Sequence, residues 1–431
     1  MSYWGQKPQN PTGKTVLNLI QAIKYISWEA IEDRLAKYPN DAKETDKFGL
    51  TSLHHVIRKR HCSVPLHIIS ALIAAHPSSL ELVDDQTGCN ALHTACKNSN
   101  EELGNKIFRM VLDAYPDGSK QLCKEERVPL HRAKNMFIAK ALIDIYPSGL
   151  GIASKSCKHL PLHDACSDNS VPPQVVQLLI DQGRNQRVGV NCSSNNNEDM
   201  STLGAETYCG GVLVKDIYGD LPLKILFRRI MFSSKSTEQG LAIDEGSPIW
   251  TKLCIVAKAT HVALCNFPLG WESRSAPLVH SIIECGGHPQ IVKHALKLNP
   301  HEITEKDSKG RIPLSIASEK VNILPEIIDL LLNSEECGDA STARISNSQQ
   351  RLPLHLAIES GRTLKNGVET IVRAEPLALQ TRDIQTRLYP FQLAAIPTFG
   401  WDNSNVDTIY SLLYAAPSVL DTYCTNSNDS V

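Results

Sequence analysis

The chain has 431 residues, of which 42% are hydrophobic and 21% are charged, and its formal net charge is -2. A charge this close to neutral argues against nucleic acid as the main ligand. The first residues, Met1-Ser-Tyr-Trp-Gly-Gln-Lys-Pro, have no signal-peptide core, and no stretch approaches the roughly 18 uncharged apolar residues of a membrane span. The sequence therefore predicts a soluble protein of the cytoplasm or nucleus.

The first predicted elements are a flexible arm over residues 1–14 and a helix pair over residues 15–39. The pair consists of two amphipathic patterns, Val16 to Tyr25 and Trp28 to Tyr38, and Pro39 closes it. It lacks the motif that recurs later in the chain. We therefore expect it to be an amino-terminal cap that shields the first repeat.

A short motif then recurs along most of the chain, and its clearest copy is Leu160-Pro-Leu-His-Asp-Ala. Most copies lie roughly 30 to 40 residues apart, and two wider gaps must hold insertions; this period indicates an array of similar units. The copies begin at Thr51, Asn90, Val128, Leu160, Leu221, Ala276, Ile312, Leu352 and Tyr389.

Each copy predicts a helix, a turn and a second helix that a proline ends. The motif proline suits the first helical turn, the leucine after it is predicted to be a core residue, and the histidine can bond backbone groups of the next unit. Stops of the second helix are predicted at Pro77, Pro116, Pro147, Pro300, Pro376 and Pro417. The structural motif residues are Leu53, His54, Leu92, His93, Leu130, His131, Leu162, His163, Leu223, Leu314, Leu354 and His355.

These units resemble ankyrin repeats, whose core reads Gly-x-Thr-Pro-Leu-His-x-Ala. Two segments are most similar to that pattern, Gly49-Leu-Thr-Ser-Leu-His and Gly310-Arg-Ile-Pro-Leu-Ser. The resemblance implies an all-α, ankyrin-like solenoid of about nine to ten helix-turn-helix units with short hairpin turns and two insertions.

The copies also depart from the ankyrin pattern. Glu126, Lys158 and Gln350 replace the turn glycine, which predicts irregular hairpins at those turns. At Pro277 the alignment with the motif leaves two possibilities that differ by one residue, because either Val279 or His280 can occupy the histidine position.

The predicted organisation follows from the copies and the gaps between them. Repeats of an N-terminal stack occupy residues 40–181, and residues 182–215 form a disordered Asn/Ser-rich insertion. A C-terminal stack occupies residues 216–420 with a second insertion at 233–247, and a polar tail covers 421–431. One continuous array and two arrays joined by a linker both remain open.

We expect no enzyme activity, no catalytic residue, no metal and no cofactor. Gly13-Lys14-Thr15 ends like a phosphate-binding loop, but Pro8 stands where that loop needs a glycine. The sequence has no Gly-x-Ser-x-Gly and no His-Glu-x-x-His segment. Its 13 cysteines form no Cys-x-x-Cys pair, so residues such as Cys96 and Cys166 are read as small buried apolar groups.

The resemblance also implies a binding surface, because turn tips and first helices of ankyrin-like arrays line one concave strip. Its Arg and Lys residues favour an acidic or phosphorylated protein partner, whereas the alternative is that these charges are solvated and bind nothing. The strip comprises Lys47, Phe48, Leu50, Arg58, Lys59, Arg127, Lys134, His159, Ile217, Tyr218, Arg228, Arg229, Lys309, Arg311, Lys320 and Arg351.

Two classes of function are consistent with this reading. The first is a non-catalytic adaptor, monomeric, that holds partner proteins on the concave face and involves no membrane. The second is a structural or self-associating scaffold. Nucleic acid is a weaker candidate ligand because the chain is near neutral and only 6% of its residues are aromatic.

Overall fold

The computed structural model describes residues 19–24, 28–58, 64–97, 101–188, 210–233, 246–264, 277–335, 338–396 and 404–419. Within these ranges the chain is all-helical, and no β-strand forms beyond an isolated bridge between Thr45 and Thr51. The chain divides into two compact units. The first unit contains residues 1–199 and 208–222, and the second contains residues 200–207 and 223–431.

The α-helices of the first unit alternate between short and longer segments. They are α1 (Leu19–Lys24), α2 (Trp28–Lys37), α3 (Ser52–Ile57), α4 (Leu66–Ala75), α5 (Ala91–Ala95), α6 (Glu101–Ala114), α7 (Met136–Ile145), α8 (Pro161–Ser167) and α9 (Pro173–Asn185).

The α-helices of the second unit follow a similar alternation. They are α10 (Pro222–Ser233), α11 (Pro248–Leu264), α12 (Leu278–Glu284), α13 (Pro289–Leu298), α14 (Pro313–Glu319), α15 (Pro325–Asn333), α16 (Pro353–Glu359), α17 (Val368–Ala374), α18 (Pro390–Ala394) and α19 (Ser404–Ala415).

Short 3-10 helices connect many of these elements, and most of them begin at a proline. One of them takes the place of a first helix in the copy that starts at Val128. They span Pro39–Lys43, Pro77–Leu80, Pro116–Ser119, Pro129–Arg132, Pro147–Gly151, Pro300–Ile303, Ala340–Arg344, Leu364–Asn366 and Pro376–Gln380.

Successive helix pairs pack side by side within each unit. In the first unit α3 packs against α5. The longer helices form a second row in which each contacts the next, in the order α2, α4, α6, α7 and α9. In the second unit α12, α14, α16 and α18 form one row, and α13, α15 and α17 form another. The motif leucines, such as Leu92 and Leu162, are buried between these rows. Each pair therefore covers apolar surface that its neighbour cannot bury alone.

The predicted proline stops coincide with the ends of second helices. Helix α4 ends at Ala75, and Pro77 begins a 3-10 helix two residues later. His76 between them has φ -148° and ψ 79°, which is outside the helical region, as expected for a residue that precedes proline. The proline thus both ends the helix and starts the short 3-10 segment that leads into the next turn.

The turns between units remain regular where glycine is absent, so the expectation of irregular hairpins was wrong. At Gly49 the backbone has φ +72°, and Asp46 Oδ1 accepts the N–H groups of Phe48 and Leu50. Lys158 has φ 57° and Gln350 has φ 58°, which is the same left-handed conformation. These side chains adopt it because the surrounding turn bonds are retained, although the conformation is unfavourable for any residue with a Cβ.

The predicted insertion at 182–215 is ordered at both of its ends. Helix α9 continues to Asn185, and Val212 is buried. Residues 189–209 lie outside the described residues, as do the arm 1–14, most of the insertion 233–247 and the tail 421–431. In the frame left open at Pro277, His280 takes the histidine position: its Nε2 lies 3.0 Å from the Arg311 carbonyl oxygen, and α12 starts one residue after the proline.

We expect Leu162→Ala to lower the free energy of unfolding by about 2 to 5 kcal/mol, because Leu162 is only 3% exposed. Urea denaturation of the full chain measures this loss. The matched control is Leu82→Ala in the same unit, where the side chain is 39% exposed. Equal effects of the two substitutions would mean that the motif leucine is not a core residue.

We expect Lys158→Gly to raise the free energy of unfolding by about 0.5 to 1 kcal/mol, because glycine adopts a positive φ without strain. Lys155→Gly, in the same turn but without a positive φ, is expected to lower it or leave it unchanged. Thermal denaturation of both variants decides the point, and a destabilised Lys158→Gly protein would contradict the strain argument.

Candidate protein-interaction surface

The tips of successive turns in the first unit are joined by backbone hydrogen bonds. We call this set of bonds the tip ladder. It runs from Asp85 N to Phe48 O (2.9 Å), Lys124 N to Thr87 O (2.9 Å), Lys155 N to Glu125 O (2.7 Å) and Ile217 N to Cys157 O (3.1 Å). Because each tip donates to the one before it, the tips lie in a row and hold one another in place.

Beneath the tips, five motif histidines join their own unit to the following turn. The imidazole Nε2–H donates to a carbonyl oxygen in the following turn, which is the role expected for this motif position. The bonds are His93 to Arg127 (2.9 Å), His131 to His159 (3.1 Å), His163 to Val214 (3.1 Å), His280 to Glu305 (3.0 Å) and His355 to Thr381 (3.0 Å).

The other ring nitrogen contacts the start of its own helix. His54 Nδ1 lies 2.8 Å from the Thr51 hydroxyl. Where leucine replaces that threonine, His163 Nδ1 instead accepts the Leu160 N–H at 3.2 Å. In the copies at Leu160 and Leu352 the histidine therefore keeps the helix start bonded although the hydroxyl is lost.

Burial keeps these histidines neutral. Desolvation lowers the pKa of His54, His163 and His280 to about 4, and that of His93 to about 3. A neutral ring has one donor and one acceptor nitrogen, which matches the pair of bonds made by His163.

The residues predicted for the concave strip fall into different environments. The exposed ones are Lys47, Arg58, Ile217, Tyr218, Arg228, Arg229 and Lys309; the half-buried ones are Phe48, Arg127, Lys134, His159 and Lys320; the buried ones are Leu50, Arg311 and Arg351; and Lys59 lies outside the described residues.

Leu50, Arg311 and Arg351 are corrections to the predicted strip. Leu50 is 5% exposed and belongs to the core beneath its turn. Arg311 donates to Asp307 Oδ2 at 2.8 Å, and Arg351 donates to Asp383 Oδ1 at 2.8 Å. These side chains are inside the protein and cannot contact a partner on its surface.

The ion pairs of Arg311 continue into a buried cluster in the second unit. Its guanidinium lies 3.3 Å from Glu284 and 3.3 Å from Glu319. Burial raises the pKa of Glu284, but the hydrogen bond from His261 and the charges of Arg311 and Lys320 outweigh it and lower that pKa to about 2. The cluster therefore holds Glu284 ionised, and it belongs to the interior of the second unit and not to its surface.

Two further basic side chains of the strip, in the first unit, also face carboxylates. Arg127 Nε lies 3.7 Å from Asp164 Oδ2, and Lys134 Nζ lies 3.2 Å from Asp168 Oδ2. The predicted basic strip is therefore mixed in charge. These acidic residues were not predicted, because the strip was defined by its turn and first-helix positions. The position of Asp164, directly after the motif histidine, could have indicated an acidic residue close to the turns.

Four of the predicted residues meet at one place, which we call the tip site: Arg127, His159, Ile217 and Tyr218, together with Asp164 and Asp216. His159 Nδ1 lies 3.1 Å from Asp164 Oδ1, and its Nε2 lies 3.5 Å from Asp216 Oδ2. The hydrogen bond with Asp164 raises the pKa of His159, although partial burial opposes it.

The apolar part of the tip site is open to solvent. Ile217 is 50% exposed and Tyr218 is 70% exposed. Their turn is fixed because Asp216 Oδ1 accepts the N–H groups of Tyr218 and Asp220, each at 2.8 Å. Behind the turn, the His159 ring stacks on His163 with 5.4 Å between ring centroids. The tip site thus presents two fixed apolar side chains beside a charged cluster.

A groove of about 510 Å³ lies on another face of the first unit, between α4, α6 and α7. Its apolar lining includes Leu66, Met110 and Phe137. Its charged side chains pair along α6, as in the 2.9 Å contact between Arg109 and Asp113. This groove is not predictable from the motif pattern, because its lining comes from helices that belong to different copies.

No family model matches the sequence, and no curated protein matches it. Among solved structures, a chain from a complex of a Bdellovibrio bacteriovorus predatory endopeptidase with an immunity protein is 16% identical, with 49% of this chain and 91% of that chain covered and a TM-score of 0.35. Structural similarity at this TM-score is too low to support a statement about function. Along the described part of the chain, none of the helices has the length and apolar character needed to cross a membrane.

We expect the free energy of unfolding to fall as the pH drops from 6.5 towards 4. The pKa values of His54, His163 and His280 are about 4 in the folded chain and the ordinary pKa of histidine is 6.5, so in this range the unfolded chain binds more protons. Each such histidine contributes about 1.4 kcal/mol per pH unit. His159 acts in the opposite sense, because its pKa is raised and its stabilisation is lost as the pH rises.

Urea denaturation at pH 7, 6 and 5 measures this dependence. His93→Gln is expected to make it shallower, because burial lowers the pKa of His93 to about 3. Leu82→Ala, at a 39% exposed side chain with no titratable group, is the control and is expected to leave the slope unchanged. Equal stability at pH 7 and pH 5 would contradict the assignment of these rings as neutral and buried.

Proposed function

We propose that the protein is a non-catalytic adaptor that binds partner proteins through the tip ladder and the tip site of its first unit. The observation that carries the proposal is the pair Ile217 and Tyr218, which are exposed on a turn that backbone bonds hold against its neighbour. Apolar side chains at the centre of a polar rim are typical of protein interfaces.

Rigidity supports this choice of surface. Binding costs free energy when loops and side chains must be ordered, and the tip of Tyr218 is already ordered by Asp216 and by the bond to Cys157. A tyrosine adds a large contact area and loses little conformational freedom, which is why tyrosine is frequent among residues that dominate binding energy.

We also propose that the helix pairs form an ankyrin-like solenoid of about nine to ten units, with the tips and first helices as its binding face. Support comes from the motif copies, the turns with positive φ, the histidine bonds to following turns and the prolines after second helices. An ankyrin-like fold does not by itself identify the partner, since such folds bind many unrelated proteins through variable surface residues.

The proposed partner is a protein with an apolar side chain that packs on Tyr218. Because Arg127, Lys134 and Arg311 face carboxylates of this chain, a general preference for acidic partners has little support. Lys47 and Arg58 are exposed at the other end of the ladder. Acidic or phosphorylated groups of the partner are proposed to lie there.

A self-associating scaffold is the second candidate function. It is favoured by Val406, Tyr410 and Tyr414 on α19, which are 63%, 69% and 79% exposed. This surface lies in the second unit and does not include the tip site, so the two functions are separable by mutation.

We expect Ile217→Asp combined with Tyr218→Asp to weaken partner binding at least about tenfold, because charge replaces the apolar anchor. Affinity purification from native extract with quantitative mass spectrometry measures retention of each bound protein. Ile145→Asp, at a 38% exposed position on α7 away from the ladder, is the matched control. Retention that is the same for both variants and the unmodified chain would exclude the tip site as the binding surface.

A further inference from the structure

The outward face of the last described helix, α19, is unusual for this protein. Val406, Tyr410 and Tyr414 are spaced four residues apart, so they form a stripe along one side of the helix. The two tyrosine rings stack with 6.3 Å between centroids and an interplanar angle of 18°. The tyrosines are among the most exposed large side chains of the described residues.

A comparison in register with the other second helices shows how α19 differs. Counted back from the proline that follows each helix, the third and seventh positions are Tyr414 and Tyr410 in α19. Charged residues hold these positions in most of the other helices, and small ones hold them in α4. The equivalents are Asp113 and Arg109, Asp144 and Lys140, Lys297 and Lys293, Arg373 and Glu369, and in α4 Ala74 and Ser70.

Two of these pairs form ion pairs on the helix surface, Arg109 with Asp113 and Arg373 with Glu369. Such pairs suit a face that stays in water. Aromatic side chains at the same positions expose a large apolar area, which marks an interaction surface.

The adjacent positions extend the apolar area. At the fourth and eighth positions before the proline, α13 has Leu296 and Val292, both fully buried, whereas α19 has Leu413 and Ile409, both half-buried. Helix α13 packs against α15 of the next pair. Among the described residues, the corresponding side of α19 keeps part of its apolar surface exposed.

We propose that this face of α19, which we call the end face and which consists of Val406, Ile409, Tyr410, Leu413 and Tyr414, docks onto the end face of a second copy of the chain. This inference rests on the second candidate function, self-association, and does not depend on the adaptor function. The two copies pair about a two-fold axis, so each residue makes the same contacts in both directions.

The sequence of the stripe is self-complementary in such a pair. With two antiparallel α19 helices centred on Tyr410, the Tyr414 of each copy faces the Val406 of the other, and a large ring meets a small side chain. The single charged residue of the helix, Asp407, then faces Leu413 rather than the other Asp407. No like charges meet across the pair, whereas docking through the charged outer faces of α6 or α13 would bring charged residues together.

The size of the end face predicts a weak dimer. Two largely exposed tyrosines offer about 300 Å² per copy, below the roughly 800 Å² per partner of a stable interface. We therefore expect a dissociation constant on the order of 10⁻⁵ to 10⁻⁴ M, and a monomer at submicromolar concentration.

Sedimentation velocity of the full chain from about 1 to 200 µM tests the proposal. The expected result is a weight-average mass that rises from monomer towards dimer. Tyr410→Glu combined with Tyr414→Arg, which copies the Glu369 and Arg373 pair of α17, is expected to weaken association at least tenfold. Phe232→Glu, at an 87% exposed aromatic of the second unit, is the matched control and is expected to change nothing.

Circular dichroism at the same concentrations checks that the double variant remains helical. Tyr410→Ala combined with Tyr414→Ala is a second test that adds no charge, and it is also expected to weaken association at least tenfold. A monomer at every concentration would overturn the proposal. So would a dimer that both double variants leave unchanged, because the interface would then lie elsewhere. Neither result would bear on the tip site, which is tested separately by retention of partner proteins.

Discussion

The hydrogen bond from a buried, neutral histidine to the next turn is the interaction on which the rest of the structure depends. His163 accepts the Leu160 N–H with one nitrogen and donates to the Val214 carbonyl with the other. One side chain thus fixes the start of its own helix and the position of the following turn. The bond has this value only while the ring is buried and uncharged, because a charged ring has no acceptor nitrogen for the helix start. The stacking of helix pairs and the placement of the turns are therefore linked to the protonation state of the motif.

The tip ladder follows from that constraint. Once each turn is held from beneath, the N–H of Ile217 reaches Cys157 and the other tips pair in the same way. The surface that results is already ordered in the chain alone, so the proposed binding would not have to order it. Near the tips, Arg127 pairs with Asp164 and Lys134 pairs with Asp168. The exposed apolar residues Ile217 and Tyr218 are the distinguishing feature of the surface.

The sequence predicted the features that depend on local chemistry. The proline that ends α4, the buried leucine of the motif and the helix pair near the start of the chain all follow from patterns within one unit. Contacts between units were not predictable in the same way. Arg311 was assigned to the surface because it follows a turn, yet it pairs with Glu284, which is 27 residues away in the chain. The left-handed backbone of Lys158 was missed because local preference was outweighed by bonds from the neighbouring turn.

Residue-resolved amide hydrogen exchange, followed by NMR, directly tests whether the tip ladder holds the turns together. We expect slow exchange, at rates close to those of the adjacent helices, at four amides that all lie in turns, those of Asp85, Lys124, Lys155 and Ile217. Exchange at the rates of unbonded loop amides would contradict this expectation, because the tips would then be independent of one another and the protein would have no preformed binding surface.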